Sequence, residues 1–181
     1  MSSVPWFRSP TSTSRGRVGS SQPQGRARRR TPRRLRVERL EDRLAPALLN
    51  WIGGSGDWRD PSHWDAGRIP GAGDDARIQV AGVTVTHSTA TVDAVNSLLA
   101  SNGTFVFSAG TLNIVTTLQG NDNFQLSGGT LGQATVSAGT TLTATASSTL
   151  DGVTLGGDLE VNSLQTVTAV NGLTFSNGRV G

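Results

Sequence analysis

Beyond residue 46 the side chains able to do chemistry are few: Arg59, Arg68, Arg77 and Arg179, His63 and His87, nine aspartates and Glu160. An enzyme that cleaves an acidic polysaccharide needs carboxylates gathered with an arginine or histidine, one group moving a proton while another holds charge. From Arg77 onward the candidates are Asp93, Asp122, Asp151, Asp158, Glu160, His87, Arg77 and Arg179, and their spacing gathers no such set. Neither histidine has ligand spacing to the other, and both read as surface or loop residues. Trp51, Trp58 and Trp64, with Asp57, Asp60 and Asp65 among them, would make a sugar-binding platform if the indole faces were exposed. The competing role for these indoles, favoured here, is an apolar plug. Asp74 and Asp75 offer hard oxygens to Ca²⁺, but that ion takes six to eight ligands and no glycine-aspartate nonapeptide repeat accompanies them. Structural hydrogen bonding is the expected role of this pair, and no cofactor or metal is expected.

The elements that must position these residues are read from composition. The chain has 181 residues, no cysteine and no run of 18 apolar residues, so disulfide frameworks, thiol nucleophiles and a spanning helix are excluded. The net charge of +3 hides an asymmetry, because residues 1–46 hold 12 arginines against three acids and the remainder four arginines against ten acids. Every basic residue is an arginine. Residues 1–46 divide into a disordered Arg-rich tail and a short helix over 35–44. The tail is poor in the apolar side chains that would offset the entropy of ordering. In the helix, Val37, Leu40 and Leu44 share a face, and Pro46 ends it.

Residues 47–76 form a Trp-, Gly- and Asp-rich cap suited to covering the edge of a sheet. Residues 77–181 contain no proline and alternate short Thr- and Val-rich runs with Gly, Asn, Asp and Ser. Period-2 runs such as Thr104-Phe105-Val106-Phe107 predict half-buried strands. The window 90–100 reads as strand, although Val92, Val95 and Leu99 also keep helical spacing.

The internal repeat carries most of the information. Ser108-Ala109-Gly110-Thr111-Leu112 returns as Ser127-Gly128-Gly129-Thr130-Leu131, and Ser137-Ala138-Gly139-Thr140 echoes both. Asp151-Gly152-Val153-Thr154-Leu155 returns as Asn171-Gly172-Leu173-Thr174-Phe175. A period near 20 residues is too short for an independent domain, so each unit must bury its apolar side against the next. The fold class expected is all-β: a right-handed parallel β-helix solenoid of about five rungs spaced about 4.8 Å apart. In it Leu112 lies near Leu131, Val153 near Leu173 and Leu155 near Phe175, and Asp151 over Asn171 makes a corner ladder. An antiparallel β-sandwich is the alternative, since it too uses short strands at close intervals. The strand-like pattern at residues 177–181 carries no polar closing element, which points to an incomplete array or to pairing with another chain.

The stretch from Arg33 and Arg34 to Leu40-Glu41-Asp42-Arg43-Leu44 and Pro46 resembles the N-terminal LE-x-R-L type sorting motif of many very large bacterial exported and surface proteins. The segment from Trp51 to Asp75 resembles the opening of bacterial right-handed β-helix surface repeats of the autotransporter-passenger kind. The W-x-G-G-x-G-x-W pattern of such openings is matched at Trp51, Gly53, Gly54, Gly56 and Trp58, and the P-x-x-G-D-D pattern at Pro70, Gly73, Asp74 and Asp75. His63 replaces the usual Asn before Trp64. The resemblance implies export through a sorting machinery that reads Arg33, Arg34, Leu40, Glu41, Arg43 and Leu44, and a secreted or cell-surface location. It implies no enzymatic activity.

The function expected is that of a non-enzymatic exported or cell-surface β-helix, structural or adhesive, with cell-surface polysaccharide as a partner. One alternative is a fragment of a β-helix carbohydrate-active protein. The other is nucleic-acid binding through the Arg-rich tail, where counterion release would drive binding. No groove-reading motif accompanies those arginines, so no specific nucleic acid is expected. The best apolar stretch near the N-terminus, residues 45–52, is broken by Pro46 and Asn50 and makes a poor signal peptide.

Overall fold

A computed structural model describes residues 45–181 except residue 122. The expected tail, the helix over 35–44, the motif residues from Arg33 to Leu44 and the candidate Asp122 lie outside the described residues. Sixteen strands are found among the described residues. They are β1 (Ala47–Asn50), β2 (Gly56–Asp57), β3 (Asp74–Ile78), β4 (Thr84–His87), β5 (Val92–Val95), β6 (Ser97–Ala100), β7 (Thr104–Phe107) and β8 (Thr111–Ile114). Next come β9 (Thr117–Gly120), β10 (Phe124–Leu126), β11 (Thr130–Gly132), β12 (Thr135–Val136), β13 (Thr141–Ala144), β14 (Ser148–Leu155), β15 (Asp158–Val161) and β16 (Val167–Phe175). The window 90–100 is strand, as its β-branched residues favour, in the two pieces β5 and β6.

Every strand pairing is parallel, and strands consecutive in sequence lie on different sides of the coil. One ladder runs β2-β4-β7-β10-β13-β15. A second runs β5-β8-β11 into the first half of β14, and a third runs β1-β3-β6-β9-β12 into its second half. β14 and β16 span both of these sides, which joins the two ladders into one ten-stranded sheet. This is a parallel β-solenoid of about five turns, and the antiparallel sandwich is excluded.

The repeat sets the register. In the second ladder Asp93, Leu112, Leu131, Leu150 and Ala169 are Cα partners in turn, so the step is 19 residues throughout. After Asp151 a β-bulge inserts one residue into β16, and the step becomes 20, pairing Val153 with Leu173, Thr154 with Thr174 and Leu155 with Phe175. The echo at Ser137–Thr140 does not join this column. It forms a corner leading into β13, where the Thr140 hydroxyl, buried, accepts from the Gly120 amide at 3.2 Å.

Alternation fills the interior with columns of like residues. Leu98, Leu118, Val136 and Leu155 form one, and Val85, Phe105, Phe124, Leu142 and Leu159 another. All are buried. The corners need backbone freedom, most clearly at Gly110, where φ is +69° and a Cβ would lie 2.3 Å from the Thr89 carbonyl oxygen. Phe175, in the column above fully buried Leu155, is 52% exposed.

Candidate functional site

The N-terminal cap is itself a coil of the solenoid. β1 pairs with β3 and β3 with β6, so the boundary expected at residue 76 falls inside a strand. Trp51, Trp58 and Trp64 are buried, at 2%, 0% and 1% exposure. They stack edge to face, Trp51 on Trp64 and Trp58 on both Trp64 and Phe105. The sugar platform is therefore corrected: no indole face is open to a ligand, and the three rings extend the phenylalanine column of the core. Trp64 Nε1 donates to the Trp58 carbonyl and Trp51 Nε1 to the Gly54 carbonyl, both at 2.9 Å. The edge-to-face rings around Trp58 leave its buried Nε1 without a hydrogen-bond acceptor.

His63 closes this plug. It ends the 3-10 turn Pro61–His63, which Asp60 caps by accepting from the Ser62 amide at 2.9 Å. The ring lies edge to face on Trp51 and against two glycines: a Cβ at Gly53 or Gly56 would come within 2.4 or 2.5 Å of it. The glycine spacing in the tryptophan motif thus makes room for the residue before Trp64.

Asp74 and Asp75 belong to β3 and make structural bonds. Both oxygens of Asp74 meet Arg68, one guanidinium nitrogen being 2.7 Å from Oδ1, and Oδ2 also accepts from the Gly71 amide at 2.7 Å. Hydrogen bonding from Arg68 holds its carboxyl below the usual range against the opposing effect of burial. Asp75 Oδ1 accepts from Asn96 Nδ2 at 2.7 Å and from the Ser97 hydroxyl at 2.6 Å, tying two rungs together. Asp151 and Asn171 also meet, with Asn171 Nδ2 donating to Asp151 Oδ1 at 2.6 Å. The register differs from expectation, since the Cα partner of Asp151 is Val170 and Asn171 reaches across from the bulge at φ +53°.

A polar cluster that sequence reasoning missed lies where the cap meets the first full rungs. His87 is buried at the end of β4, not on the surface. Its Nε2 lies 2.9 Å from Asp93 Oδ2 and its Nδ1 lies 2.8 Å from the Ala109 carbonyl oxygen. Asp93 also accepts from Arg59 of the cap and, at 3.0 Å, from the Thr91 hydroxyl. Burial pushes the Asp93 carboxyl up, but bonds from Arg59, His87 and Thr91 outweigh it and hold the group below its usual value. Both ring nitrogens lie against protein oxygens and Asp93 is shared with Arg59, so the arrangement is suited to fastening the cap to the first rungs. Equivalence of His87 with Phe107 one rung on is the signal that would have placed it inside.

Asp158 and Glu160 stand exposed on β15 and Asp151 lies on β14 in another ladder, so these three described carboxylates are on different faces of the coil. On the outer face of the third ladder a depression of about 120 Å³ is lined by Asp75, Arg77, Ser97, Leu99, Thr117 and Gln119. Set against models of protein families, curated proteins and solved structures, the chain finds no match in any of the three.

Proposed function

We propose that this chain is a non-enzymatic β-solenoid of the cell surface or exterior, with a structural or adhesive role. The observation that carries the reading is the commitment of its inner ionisable groups to structural bonds. Asp74 braces the cap internally through Arg68 and Gly71, and Asp93 joins Arg59 of the cap to His87 of the first rungs, while the outer faces present columns of uncharged hydroxyls. One such column is Thr111, Thr130, Thr149 and Thr168, and another is Thr117, Thr135, Thr154 and Thr174. A stack of this kind displays a long regular surface, which serves recognition by area and repetition. Export is supported by the resemblance of residues 33–46 to the LE-x-R-L motif.

The test is fractionation of the full chain in a bacterium whose own exported proteins carry that motif. Surface accessibility to added protease, lost when Leu40, Glu41, Arg43 and Leu44 are replaced by alanine, is expected. Retention of the unaltered chain in the cytoplasm overturns the location. Cleavage of an acidic polysaccharide by the purified chain, abolished by Asp151→Asn or Asp158→Asn, overturns the non-enzymatic role.

A further inference from the structure

The depression on the third ladder has a specific chemical character. Asp75 pairs with Ser97 in register, Arg77 with Leu99, and Leu99 with Gln119, so the outward side chains that line it come from three successive rungs of one face. Of the arginines in the cap and first rungs, Arg59 and Arg68 are each tied to a carboxylate. Arg77 is exposed and meets no carboxylate among the described residues. Its acidic neighbour Asp75 is already engaged by Asn96 and Ser97 through Oδ1.

We propose that this groove binds a carboxylated saccharide, with Arg77 receiving the carboxylate. The planar guanidinium fork matches a carboxylate through two parallel hydrogen bonds. Asp75 in the same groove repels a dianion more strongly than a monoanion, which selects a carboxylate over a phosphate. Leu99 supplies an apolar floor for the C–H face of a sugar ring, and Thr117 and Gln119 supply hydroxyl and amide partners for its hydroxyls. A cavity of about 120 Å³ accommodates a carboxylate and the ring edge that bears it, leaving the rest of the ring outside. From Thr117 the column Thr135, Thr154 and Thr174 continues along the axis at about 4.8 Å per rung, a track of hydroxyls for the next sugars of a chain. The choice of a saccharide over a free carboxylic acid rests on the adhesive role proposed for the chain; the choice of a carboxylate rests on Arg77 and on Asp75 beside it.

The test is calorimetric titration of the full chain with a galacturonic acid trimer, a neutral galactose trimer and acetate. Saturable binding of the acidic trimer is expected, at least tenfold tighter than of the neutral trimer or acetate and weakening with added salt. Arg77→Gln should weaken it at least tenfold and Arg77→Lys by less, while Arg179→Gln leaves it unchanged. Arg77 projects from an outer face, so thermal melts of the variants should match the parent. No saturable binding of the acidic trimer, equal binding of the neutral one, or an unaffected Arg77→Gln variant overturns the proposal. Acetate binding as tightly as the trimer overturns the saccharide. None of these outcomes bears on the surface location, which the fractionation experiment decides separately.

Discussion

His87 Nε2 faces Asp93 Oδ2 at 2.9 Å while its other ring nitrogen faces the Ala109 carbonyl oxygen at 2.8 Å, so oxygens from two other parts of the coil converge on one buried ring. The bond joins β4 to β5, and Arg59 adds the cap to the same carboxylate. Removing Asp93 leaves a buried ring nitrogen and a half-buried guanidinium without their acceptor. Breaking a buried pair from one side costs about 3 kcal/mol. Asp93→Ala should lower the urea midpoint accordingly, and the tryptophan fluorescence of the cap should change before the far-UV signal of the rungs. A shift below about 0.5 kcal/mol would show that the cluster does not hold the cap.

Acid should loosen the same region. The Asp74 and Asp93 carboxyls sit below their ordinary value of 3.8 in the folded chain. A depressed group binds fewer protons folded than unfolded, so its contribution is complete above 3.8 and is lost as pH falls through the lower folded value. The melting temperature should therefore fall as pH drops below about 4. Asp74→Asn should reduce the steepness of that fall. An equally steep fall in the variant counts against the assignment.

The interior columns predict a graded response along the axis. Leu131 lies between Leu112 and Leu150, all fully buried, so Leu131→Ala should cost about 3 kcal/mol through lost transfer energy and the cavity left behind. Phe175→Ala on β16 should cost under about 1 kcal/mol, because half of that side chain already meets water. Urea midpoints compare the two directly. Equal losses would mean that the last rung is covered in solution.

The glycines of the tryptophan motif predict a non-additive pair. Gly56→Ala drives a methyl group into the His63 ring and should destabilise by about 1–3 kcal/mol. His63→Ala removes the obstacle, so the double variant should be less destabilised than the sum of the two single ones. Additivity in a double-mutant cycle would refute the contact.

Much of this architecture is legible in the sequence, and the exceptions share one cause. Apolar alternation and the 19- to 20-residue recurrence determine that Leu112 meets Leu131 and Leu155 meets Phe175, since stacking like on like buries each unit. Trp51, Trp58 and Trp64 read as a plug because large indoles crowd one short segment, and their burial agrees with that. The recurrence of Asp151-Gly152 as Asn171-Gly172 gives the corner bond, though not the bulge that carries it. The burial of His87 was decided by tertiary structure. A polar ring is stable in the core only where acceptors such as Asp93 and Ala109 converge on it, and they come from other strands of the coil. The groove at Arg77 has the same origin: Arg77, Leu99 and Gln119 become neighbours only when the coil closes. Sequence alone determines which residues repeat, because periodicity is a one-dimensional property. Tertiary structure decides which non-repeating residues they enclose and which side chains share an outer face, because those depend on where each turn lies over the last.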